Sequence, residues 1–194
     1  VIMAGKPTVP ASSEAFHHIQ VANNLLGGGI SGRLAQTLRI QKGYTYGAYS
    51  YLRNASYQAP FMASSQVRTN VTLESLEIFK DLIGNCKATF GKENLTVNKK
   101  MLIKSNVRKY ETLDQQLGML DKMSRFNLPN DYVKREQDYV INASVKDIHK
   151  TITAHMDEQQ MIYMVVGDAK SQLGRIKDLG YVEPILLDVD GNKI

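Results

Sequence analysis

The chain has one cysteine, Cys86, so no disulfide can close within it and no thiolate cage can hold a metal. No apolar run approaches the roughly 20 residues that a membrane-spanning helix needs, and the start carries no secretory leader. Charge of neither sign dominates: the net value is +5 over 194 residues. That excess is mild, and no nucleic-acid module accompanies it, so no nucleic-acid partner is expected. The densest basic stretch, Lys92 to Lys109, reads as the solvated face of a helix. Repeats, low-complexity tracts and interdomain linkers are absent.

The usual catalytic constellations are missing as well. Of the four histidines, His17 and His18 are adjacent, so on a helix they point about 100° apart and cannot share a metal comfortably. His149 and His155 are out of helical register. No pair of histidines flanks a glutamate on one helical face in either orientation, as a zinc peptidase helix requires. Gly29-Ile30-Ser31-Gly32 places a serine between glycines, but between two helices, where a nucleophile elbow follows a strand. Gly27 to Gly32 lacks the Lys-Ser/Thr ending of a phosphate loop. Glu74 and Glu77 read as a solvated helix face, and Cys86 as a core residue.

What is present is enough apolar sequence for a core, at 43% hydrophobic residues. Val1 to Gly5 reads as a strand already under way, which predicts a piece of a longer chain with any targeting signal upstream. Ser12 and Ser13 are candidate N-caps for a helix whose apolar stripe is Ala15, Ile19, Ala22 and Leu26, stopped at Gly27-Gly28-Gly29. A short helix over Ser31–Gln41 follows, on the stripe Leu34 and Leu38. Alternation predicts a hairpin of Tyr46–Leu52 and Pro60–Arg68, the latter with Phe61, Ala63, Ser65 and Val67 on one face. Leu76, Phe79, Ile83, Cys86 and Phe90 recur at three- and four-residue steps and predict one amphipathic helix. Helices are expected near Leu95–Tyr110, Leu113–Arg125, Asp131–Ile141, Val145–Met156 and Lys170–Leu179, and strands at Met161–Val166 and Ile185–Val189. The order predicts one α+β domain over residues 1–194: two layers, an antiparallel or mixed sheet with helices packed on one face.

One segment is more specific than any of this. It runs Asn24-Leu25-Leu26-Gly27-Gly28-Gly29-Ile30-Ser31-Gly32-Arg33-Leu34, then Leu38-Arg39-Ile40-Gln41-Lys42-Gly43-Tyr44-Thr45-Tyr46-Gly47-Ala48-Tyr49-Ser50. This resembles the second-domain signature of the pitrilysin/insulinase family of zinc metallopeptidases, the inverzincins, as in mitochondrial-processing-peptidase-like proteins. Val165-Val166-Gly167-Asp168 is similar to that family's last core strand. Gly32, where serine is commoner, and Ile40-Gln41-Lys42, where an acidic run is typical, depart from the pattern without touching the Arg39–Tyr46 spacing.

The resemblance implies a metallohydrolase-like domain that carries no zinc itself. The Zn²⁺ and its His-x-x-Glu-His motif would lie on a partner domain, fused in the same chain or supplied as a separate subunit. Arg39 and Tyr46 would reach across to a peptide substrate. A guanidinium fork suits a substrate carbonyl or carboxylate, and a phenol can donate to the oxyanion of a hydrated peptide bond. Gly27, Gly28 and Gly29 are candidate substrate-binding positions, because glycine leaves room for an extended chain. Tyr44, Tyr49 and Tyr51 are expected to pack in the sheet. The alternatives are an inactive scaffold subunit of the same fold, and a generic binding module that uses the basic helix face. The sequence does not fix the compartment; family analogy points to the periplasm or cell envelope.

Overall fold

The computed structural model describes residues 1–194, the side chains at 106 and 107 excepted. In chain order it has β1 (Ile2–Pro7), α1 (Glu14–Gly27), α2 (Arg33–Ala35) running into a π turn at Gln36–Gln41, β2 (Ala48–Leu52) and β3 (Pro60–Ser65). Next come α3 (Thr72–Gly84), α4 (Lys92–Arg108), α5 (Leu113–Arg125), α6 (Tyr132–Asn142) and α7 (Val145–His155). β4 (Ile162–Val165) and α8 (Ala169–Ile176) complete the described elements, with single 3₁₀ turns at Thr69–Val71, Glu158–Gln160 and Lys177–Leu179.

The strands lie in the order β2-β3-β1-β4, and every pairing is antiparallel. Period-two alternation sorts the faces. Ile2 and Ala4 of β1, Ala48 and Ser50 of β2, and Phe61, Ala63 and Ser65 of β3 are buried. Tyr49, Tyr51, Ile162 and Met164 are exposed. The helices α1 and α3 pack against β2 and β1 respectively. Their stripes, Ile19, Ala22 and Leu26 in α1 and Leu76, Phe79 and Ile83 in α3, join Phe61 in one core. Each large side chain buried this way contributes about 1.5–3 kcal/mol. The fold is α+β, as the pattern predicts.

Several boundaries differ from the sequence reading, each for a local reason. The stripe Leu76 to Phe90 is not one helix: α3 ends at Gly84, and turns carry the chain onward, although Cys86 and Phe90 remain buried. A turn can deliver a side chain to the core as well as a helix can, so periodicity outruns the hydrogen bonding. The hairpin strands are shorter, beginning at Ala48 and ending at Ser65. The expected strand at Ile185–Val189 is absent from the sheet; only an isolated bridge between Leu187 and Lys193 forms there, around a turn organised by Asp188. Its alternating apolar residues are exposed, Ile185 and Val189 included. Glu74 is not simply solvated, since it pairs with Arg175 at 2.7 Å.

Cys86 sits in the core at 1% exposure, and burial pushes its thiol up to about 11. It is expected to resist iodoacetamide at about pH 8 in the native chain and to label completely in denaturant. Fast labelling without denaturant would contradict this placement.

Candidate functional site

The stretch from Asn24 to Ser50 forms a continuous frame at one end of the sheet. It begins where α1 meets β2. A Cβ on Gly27 would lie 2.2 Å from the Ser50 amide nitrogen and 2.3 Å from its Oγ, so the absent side chain is what lets α1 touch β2. Gly32 in turn packs on Gly27, with a would-be Cβ at 2.9 Å from its Cα. Gly29 has open space around it but φ of +94°, the left-handed region that glycine tolerates. Arg33, inside the motif, donates to the Thr89 carbonyl at 2.8 Å and to its hydroxyl, fastening the frame to the turn after α3.

The helical ladder then widens. Lys42 N–H donates to Thr37 O at 3.0 Å and Tyr44 N–H to Leu38 O at 2.8 Å, closing the π turn, and Gly43 exits it at φ +62°. Such turns are one-residue insertions that recur at functional positions. Here the wide turn buries Leu38 while leaving its neighbour Arg39 exposed. Arg39 has no side-chain partner among the described residues.

Tyr46 follows, two residues before the strand. Thr45 Oγ1 accepts from the Gly47 amide at 3.1 Å and donates to Gln66 O at 2.6 Å. Ser65 Oγ donates to Gly47 O at 2.9 Å. These bonds fold a side-chain-closed turn where extended backbone was expected, which is why β2 starts at Ala48. The main chain around Tyr46 is thus pinned from two sides, while its side chain is 96% exposed and has no partner among the described residues. Tyr44 packs against the core; Tyr49 and Tyr51 project from the outer face of the sheet.

Arg39, Tyr46 and Gly27–Gly29 therefore lie along one connection from the end of α1 to β2, and no hydrogen bond joins the Arg39 and Tyr46 side chains among the described residues. Among the described residues no group of three or more His, Cys, Asp or Glu is placed to hold a metal. His149 binds the Phe90 carbonyl at 2.8 Å.

Sequence reasoning missed a polar cluster in the helix layer. His17, weighed only as a metal ligand, is buried, stacks on Tyr139 with ring centroids 5.5 Å apart, and faces Glu136 at 4.0 Å. Lys122 donates to Tyr132 Oη at 2.8 Å. Burial holds the His17 imidazole below its ordinary value of 6.5, with Glu136 opposing and Lys122 and His18 adding to the depression. Burial likewise lowers Lys122 and raises Tyr132. The cluster joins α1, α5 and α6, and no sequence spacing announces it.

The depressed His17 makes a pH prediction. The unfolded chain binds its proton near pH 6.5 and the folded chain only below that, so stability present at neutral pH is lost as pH falls from 6.5 through the folded value. Urea midpoints are expected to drop between about pH 7.5 and about pH 5, and to drop less in His17→Gln. His155, also lowered by burial, keeps part of the slope in the variant. Equal slopes would remove His17 as a contributor.

The sequence profile of the peptidase M16 inactive domain matches residues 1–102. A curated relative, the non-peptidase homolog YmxG of Helicobacter pylori, is 24% identical over 75% of this chain and 34% of its own length. The crystal structure of a peptidase M16 inactive domain from Pseudomonas fluorescens superposes with a TM-score of 0.76, at 21% identity, over 86% of this chain and 42% of that one. The inactive peptidase domain of a Bordetella parapertussis protein does so with a TM-score of 0.72, at 16% identity, over 84% of this chain and 89% of that one. The chain thus spans about a third of the curated relative and under half of the first structure.

Proposed function

Because the chain belongs to the peptidase M16 inactive-domain family, we propose that it is the non-catalytic, substrate-holding half of a zinc-dependent endopeptidase. In this reading residues 1–194 act as one C-terminal-type domain, and a zinc-bearing domain, fused or separate, performs the cleavage. Arg39 and Tyr46 extend into that domain's active site. Arg39 holds a substrate carbonyl or carboxylate; Tyr46 donates to the oxyanion that forms when a zinc-activated water attacks the peptide. Gly29, with no atom within 4 Å of where a side chain would start, leaves space beside them for an extended substrate.

One observation carries the proposal: hydrogen bonds fix the main chain on both sides of Arg39 and Tyr46, yet neither side chain has a partner among the described residues. A residue held that way is preorganised for a partner outside it. The outer sheet face with Tyr49, Tyr51, Ile162 and Met164, and the exposed α5 stripe of Leu113, Leu117 and Leu120, are apolar surfaces that a second domain would cover. In the paired protein, Arg39→Ala is expected to raise KM about tenfold, the scale of one charge-assisted contact, with a smaller change in kcat. An unaltered KM would take Arg39 out of the site.

The scaffold reading is favoured by the naming of the curated relative as a non-peptidase homolog. Metal analysis of the paired protein separates the two. The endopeptidase reading expects one tightly held zinc in the partner domain, and zinc-free protein of full stability favours the scaffold.

A further inference from the structure

Two glutamates are buried to the same extent, 6% exposed, and the fold treats them differently. Glu158 accepts hydrogen bonds from Gln159 at 2.8 Å, from Tyr163 at 2.9 Å and from Tyr181. Glu136 accepts none among the described residues: His17 Nδ1 and Lys109 Nζ both stand 4.0 Å away, and its charge also acts on Lys122, Tyr110 and Tyr132. A buried carboxylate ordinarily has its lone pairs filled. Glu136 instead faces a cavity of about 260 Å³ where α1, α4, α6 and the end of β2 meet.

Asn23 lines the α1 side of that cavity. Asn23, 9% exposed, donates its Nδ2 to Ser50 O at 2.9 Å, while its Oδ1 has no partner. Lys109 stands at the rim with its side chain 44% exposed, and Leu52, Leu102 and Val140 line the wall together with Gln20, Asn24 and Tyr51. The cavity thus offers a buried carboxylate, one half-exposed cation and a partly apolar wall. A lone inorganic anion would meet the carboxylate, and a bare cation would leave Lys109 unused. Its volume equals about nine waters at ~30 Å³ each, room for a molecule of roughly as many heavy atoms.

We propose that this cavity binds a free α-amino acid with an aliphatic side chain. Its ammonium group donates to Glu136, its carboxylate accepts from Lys109, and its side chain rests on Leu52, Leu102 and Val140. The site is separate from Arg39 and Tyr46 and needs no partner domain, so it stands or falls independently of the peptidase reading.

Titration calorimetry of the full chain with leucine, N-acetylleucine and leucinamide tests it. Leucine is expected to bind saturably with one site. Acetylation removes the ammonium and amidation the carboxylate, and each should weaken binding by about tenfold or more. Glu136→Gln should do the same to leucine. Lys109→Gln, at the half-exposed rim, should weaken leucine but leave leucinamide unchanged in protein whose fold is checked by circular dichroism. The proposal is overturned by no saturable binding of leucine up to about 10 mM, by equal binding of all three compounds, or by an unchanged leucine affinity in Lys109→Gln. A crystal grown with leucine that shows only waters on Glu136 overturns it too.

Discussion

Tyr46→Phe in the paired, zinc-loaded protein is expected to lower kcat about 10²–10³-fold, the scale for losing one oxyanion donor. The substitution removes a single oxygen from a side chain that is 96% exposed and has no partner among the described residues. Folding has nothing to lose from it, so stability should stay within about 0.5 kcal/mol of the parent. The main-chain pins at Thr45, Ser65 and Gln66 are untouched, and the ring keeps its place. A rate deficit would therefore report on the hydroxyl itself. An unchanged kcat would take Tyr46 out of the mechanism and leave it as a surface residue.

The second large effect is on stability. Gly27→Ala forces a methyl group to within 2.2 Å of the Ser50 backbone, a separation no real Cβ adopts. The end of α1 must lift from β2, and Leu26 must leave its packing. The expected cost is about 3 kcal/mol or more, the upper end for overpacking, because backbone and not a flexible tip is in the way. Gly29→Ala is the control. It meets no atom within 4 Å and differs only in its positive φ, so it should cost about 1–2 kcal/mol. Adding Ser50→Gly should recover part of the Gly27→Ala loss, since two of the three close atoms belong to that side chain. Denaturant melts of the four proteins measure this. A Gly27→Ala chain as stable as the parent would contradict the close approach.

Much of the fold is legible in the sequence because patterning is local. The alternation of Phe61, Ala63 and Ser65 and the stripes of α1 and α3 are set by backbone geometry and by which side must avoid water. The π turn at Arg39 is not legible: adding one residue to a turn leaves Leu34 and Leu38 apolar and correctly spaced for an ordinary helix. The turn at Thr45 likewise hides inside a tyrosine-rich run that alternates as a strand would. At Ile185–Val189 alternation misleads, since no neighbouring strand receives it. α5 shows the complementary gap: its periodicity identifies a helix, while its leucines face outward and only a partner could explain them. The cavity at Glu136 draws Asn23 from α1, Lys109 from beyond α4 and Glu136 from α6, a meeting that no stretch of sequence records.

The central claim is that this chain holds substrate for a zinc centre located elsewhere. Cleavage of a quenched, unstructured peptide mixture tests it most directly, comparing the chain alone, the zinc-loaded paired protein, and that protein carrying Tyr46→Phe. The account predicts an inert chain, an active pair and a crippled variant. Cleavage by the chain alone, or a zinc-loaded pair that cleaves nothing, would contradict it.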